Sequence, residues 1–132
     1  MTRAEWVNYW LATAHHDEGI MVNNYNSGDY DAALFFGHLV IEKMLKALYV
    51  QNPVNDFMAP RLHNLVTLAQ GAGIELSDIQ ERQLRLITTF NMDVRYPDER
   101  LHFYKLCTKE YASDKLETIR EVQEWLSSNL AS

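Results

Sequence analysis

The chain has 132 residues, 47% of them hydrophobic, with a formal net charge of −6 and one cysteine, a length that can bury a core without disulfide or metal staples. The lone Cys107 excludes an internal disulfide and fits a reducing compartment, and the acidic balance excludes a nonspecific nucleic-acid coat, since phosphate binding draws on clustered Lys and Arg. No basic-then-apolar leader opens the sequence and its most apolar stretch carries charges that are costly in lipid, so a cytoplasmic protein with no membrane span is expected, folded as one domain over 1–132.

Glycine and proline are scarce and no long alternating run calls for a sheet, so the expected fold is all-α, an up-and-down bundle of about five helices. A first helix over about 2–24 aligns Trp6, Trp10, Ala14 and Met21 on one stripe, with Asp17 in the same register. An acid there needs a donor. Asn26, Ser27, Gly28 and Asp29 form a turn, and 30–50 follows, apolar on nearly every side and therefore the central helix. His38, Glu42, Lys43 and Lys46 lie within it and need partners. His38 and Glu42, four apart, share a face and are expected to form a structural, hydrogen-bonded buried network with Asp17. A metal pair would need further ligands at recognisable spacing, and none accompany them, so no metal or cofactor is expected. Lys43 and Lys46 are expected to snorkel at the bundle edge.

The stretch 52–60 holds two prolines and reads as a loop, with Pro60 at the first turn of a third helix over about 61–70 that Gly71 and Gly73 end. Ser77 with Gln80 three residues on matches a capping box for a fourth helix to about 91. Pro97 holds Tyr96 extended, which makes 95–98 an elbow or a break between helical pieces. A last helix starting between Asp98 and Thr108 carries Tyr111, Leu116, Ile119, Val122 and Leu126 at helical spacing. Charge is uneven along the chain: 82–109 holds six basic residues against three acids, so the remainder carries about nine excess negative charges.

Several elements in order resemble the HEPN domain family (higher eukaryote and prokaryote nucleotide-binding). They are Ala14 and Asp17 on the first helix, the aromatic, His, Glu-Lys, Leu-Lys-Ala-Leu pattern from Phe35 to Leu48, the His63-Asn-Leu-Val-Thr-Leu run, and Arg95-Tyr96-Pro97-Asp98. In HEPN ribonucleases an Arg is followed after four to six residues by a His, often with a Tyr two places further. Arg95, His102 and Tyr104 match that pattern. A dimer unites two copies in a cleft that cleaves RNA without metal, the imidazole moving the proton of a ribose 2′-hydroxyl and the guanidinium holding phosphorane charge. Chance supplies roughly 0.04 such triples in a chain of this composition, so the triple outweighs the pair. Tyr96 stands where active ribonucleases often have a polar residue, and Pro97 bends the motif. Arg95 therefore also reads as an anchor for an acid such as Asp17, Glu42 or Asp98.

The resemblance implies a homodimer and, commonly, a minimal nucleotidyltransferase as partner in a toxin-antitoxin-like pair, the transferase in some pairs modifying the Tyr at the position of Tyr104. Tyr96, Arg100, Tyr104 and Lys105 are the binding or modification candidates, and His63 is expected to cap or dock the third helix. Two functions stand open: a nucleotide- or RNA-binding partner of the transferase, and a metal-independent endoribonuclease using Arg95 and His102.

Overall fold

A computed structural model describes residues 1–131. It is all-helical, with six α-helices, one 3-10 turn and no strand among the described residues. Helix α1 (Arg3–Asn26) starts at a capping box in which the Thr2 hydroxyl accepts from the Glu5 amide and the Glu5 carboxylate accepts from the Thr2 amide. It ends at a turn where Gly28 adopts φ 85°. Helix α2 (Tyr30–Gln51) runs back along α1 and is the hub: α1, α3 (Leu65–Gly71), α4 (Asp78–Thr88), α5 (Pro97–Leu106) and α6 (Lys109–Ser127) all pack on it. Leu34, Ile41 and Leu45 of α2 are fully enclosed with Leu65, Leu84, Ile87, Phe90, Ile119 and Leu126. Where α6 crosses α2, Gly37 leaves space for the Ile119 side chain.

The end of α2 and the loop after it are tied to the start of α1. The Arg3 guanidinium donates to the carbonyls of Val50 at 2.7 Å, Asn52 at 3.1 Å and Asn55 at 2.9 Å, and lies 4.7 Å from the centre of the Phe57 ring. The Val50 carbonyl in the last turn of α2 and the Asn52 and Asn55 carbonyls of the following loop thereby gain a charged donor.

Three element boundaries differ from the sequence-based expectation. Helix α3 begins at Leu65, not near 61, because the Asn64 side chain accepts from the Thr67 amide at 3.1 Å and caps the helix there, leaving Pro60 in coil. Helix α4 stops at Thr88, and Met92–Val94 forms the 3-10 turn. The single last helix is two. Pro97 is the first residue of α5 rather than part of an elbow, since its missing N–H costs nothing at that position, and only Arg95 and Tyr96 remain extended before it. Thr108 then caps α6 by accepting from the Tyr111 amide at 3.1 Å. No helix among the described residues is long and apolar enough to cross a membrane.

Candidate functional site

The corner between α4 and α5 is braced by Arg95. Its Nη2 donates to the Thr89 carbonyl just past the end of α4, and its guanidinium lies 5.0 Å from the centre of the buried Phe103 ring on α5. Its own carbonyl accepts from Arg100 Nε at 3.2 Å. The anchor expected from the sequence is therefore present with a different target: Arg95 pairs with none of Asp17, Glu42 or Asp98, because the extended Arg95–Tyr96 link directs the side chain back to the α4 terminus.

His102, Tyr104, Arg100 and Lys105 are exposed on α5. Two residues on an α-helix differ by about 200° of rotation, so His102 and Tyr104 occupy opposite flanks of α5, with Phe103 buried between them. Arg95, stacked over Phe103, and His102, in solvent, share no hydrogen bond in the chain as folded. The outer side of this corner is apolar and aromatic: Tyr96 is 73% exposed, Tyr104 62% and Leu101 54%. Cys107, at the end of α5, is no nucleophile for this site, because burial pushes its thiol up to about 12.

The second polar cluster lies inside the bundle. Asp17, His38 and Glu42 are buried, but they do not form the single network expected of them. Asp17 Oδ2 accepts from Lys43 Nζ at 2.5 Å, which joins α1 to α2. Glu42 takes a different set: Lys46 Nζ lies 3.3 Å from Oε2, and His63 Nδ1 lies 2.8 Å from Oε1. His38 Nε2 is 3.6 Å from Glu42 Oε1, beyond hydrogen-bond reach, and neither ring nitrogen of His38 has a partner. Burial holds the imidazole below its ordinary pKa, with the nearby Glu42 charge opposing that effect.

The two lysines therefore do not snorkel. A buried carboxylate needs a countercharge more than a lysine needs water, and Lys46, itself buried, also sits 5.2 Å from the centre of the Trp10 ring. His63 is the member that sequence reasoning assigned elsewhere. It docks the segment before α3 onto Glu42, while Asn64 does the capping. The sequence carries no signal for this pairing, because His63 reaches Glu42 from another element. Among the described residues no group of His, Cys, Asp and Glu is arranged to hold a metal ion.

A family model for the HEPN domain matches residues 7–130. Among solved structures, the chain is similar to the one described as the crystal structure of TT1696 from Thermus thermophilus. The identity is 18% and the TM-score 0.77, covering 94% of this chain and 98% of that one, which is a likeness of fold. No curated protein sequence matches the chain.

Proposed function

Since the chain belongs to the HEPN domain family, we propose that it is a cytoplasmic, homodimeric binding subunit that docks a minimal nucleotidyltransferase and a nucleotide or RNA, in a toxin-antitoxin-like pair. One observation carries the choice of binding over catalysis. Arg95 spends its guanidinium on the Thr89 carbonyl and the Phe103 ring, which fits a brace better than a clamp on a developing phosphorane. The face that α5 turns outward suits contact: Tyr96, Leu101 and Tyr104 offer apolar and aromatic area, with Arg100 and Lys105 beside them for an anionic ligand. Tyr104, on the flank away from His102, is the acceptor for modification by the partner transferase.

The alternative, a metal-independent endoribonuclease, is favoured by the exposed, unengaged His102 imidazole, with the Lys105 cation on the same face of α5. One experiment separates the readings. Purified wild type and His102→Ala are incubated with RNA in EDTA, and their masses are measured by light scattering alongside Leu101→Glu. The binding reading expects a wild-type dimer burying more than roughly 1,000 Å² in total, a monomeric Leu101→Glu and no cleavage. Cleavage by wild type that His102→Ala abolishes overturns it in favour of the ribonuclease, and a monomeric wild type at micromolar concentration removes the dimer.

A further inference from the structure

The five histidines of the chain differ in what holds their rings. His15 and His16 lie in solvent on α1, and the acid nearest His15, Glu18, is 3.9 Å away, beyond hydrogen-bond reach. His102 is exposed on α5, and His38 is wholly enclosed. His63 combines exposure with a fixed ring. Its side chain is 56% exposed, yet Nδ1 lies 2.8 Å from Oε1 of Glu42, whose own side chain is 5% exposed. Glu42 is held in turn by Lys46 Nζ, 3.3 Å from its other oxygen, and the lone pairs of a carboxylate serve both donors together. A carboxylate facing an ammonium only accepts, so the shared proton belongs to Nδ1 and the lone pair of the neutral imidazole belongs to Nε2. Since Nδ1 is turned to a buried acid, the open edge of the ring is the one that carries Nε2.

We propose that His63 Nε2 is an acceptor for a phosphoryl group from an activated phosphate, with Glu42 as its positioning residue. In that step Nε2 gives its electron pair to phosphorus, and the bond from phosphorus to the leaving group breaks with its pair staying on that group. The Nδ1 proton stays shared with Glu42, whose negative charge offsets the imidazolium that forms. Exposure favours this role over that of a general base. An open ring lacks the walls by which a base holds its substrate, whereas an acceptor needs only to be reached by the donor. The ring is also presented from an ordered stretch, because the next residue, Asn64, is fixed by its cap on α3 and Lys46 closes the far oxygen of Glu42. The assignment is independent of whether the α5 face binds or cleaves.

The test treats the full chain with phosphoramidate, a small phosphoryl donor whose leaving group is ammonia. Peptide mass spectra give the rate at each histidine, and phosphorus NMR gives the ring nitrogen. His63 should react about tenfold faster than His15, His16 or His102, and at Nε2. Glu42→Gln should bring His63 down to the rate of those three, and His63→Gln should remove the fast reaction while leaving theirs unchanged. Should Glu42→Gln not fold, the wild-type rates and the position of the phosphoryl group decide. Equal rates at the four exposed histidines, reaction of His63 at Nδ1, or an unchanged His63 rate in folded Glu42→Gln each overturns the assignment.

Discussion

Removing the Glu42 carboxylate tests the buried charge arrangement most directly. Glu42→Ala leaves Lys46 enclosed without a counterion and His63 unmoored. Breaking a buried ion pair by deleting one partner costs about 3–5 kcal/mol, because the remaining charge keeps its desolvation penalty. Two features of the structure put the expected cost at the low end of that range. Lys46 has the Trp10 ring 5.2 Å away as a partial substitute, and His63 is exposed enough to be hydrated. A loss of about 3 kcal/mol follows. With an unfolding entropy of about 2.1 cal/mol/K per residue over 132 residues, each kcal/mol moves the midpoint by roughly 3.6 °C, so Tm should fall by about 10 °C. Calorimetry of Glu42→Ala, Lys46→Met and the double variant completes the cycle, and the double variant should recover more than about 1 kcal/mol of the single loss, since the orphaned charge is gone. A Glu42→Ala protein melting within about 2 °C of wild type, or a Lys46→Met change that rescues nothing, would refute the reasoning.

Two further substitutions probe the packing. Gly37→Ala brings a methyl group against Ile119, 3.6 Å from Cγ1, and Met21, 3.3 Å from Sδ. Overpacking of about 1–3 kcal/mol should outweigh a helix-propensity gain of about 1 kcal/mol, giving a lower urea midpoint with unchanged slope. Equal midpoints would mean that Ile119 swings clear. Cys107, with its thiol pushed up to about 12 by burial, should resist a disulfide reagent at pH 8 in the folded protein and react fully in denaturant. Rapid labelling of the native chain would contradict its enclosure.

Much of this architecture was legible in the residue pattern, and the failures have identifiable causes. The run from Tyr30 onward announced α2 as the hub because no single stripe could hold so many apolar residues, and Ser77 with Gln80 announced the start of α4. The break between α5 and α6 was hidden because neither Cys107 nor Thr108 is a helix breaker. Thr108 acts through a capping bond that any mid-helix threonine could fail to make. Pro60 and Asn64 competed as starts for α3, and the side-chain cap decided. Burial of Asp17, His38 and Glu42 could be inferred from register, but their partners depend on how elements meet. Lys46 was within reach of inference as the i+4 neighbour of Glu42. Lys43 and His63 were not, since each reaches an acid on another element. Arg95 was the hardest to read, because its acceptor is a main-chain carbonyl and leaves no mark on the sequence.

The packing of α1 chiefly on α2, through a three-residue turn, carries a consequence for the order of events during synthesis. Such a hairpin closes a short loop and forms among the earliest structures. The α6 residues that seal the other side of α2, Ile119 and Leu126 among them, emerge only after α3, α4 and α5 have been made. At about 5–20 residues per second, the interval between the end of α2 and the end of α6 is roughly 4 to 15 s. During that time Ile41, Leu45 and their neighbours lack their final cover, so a ribosome stalled short of Lys109 displays α2 with the flank that α6 would seal left bare, a species for chaperones to hold and for aggregation to capture.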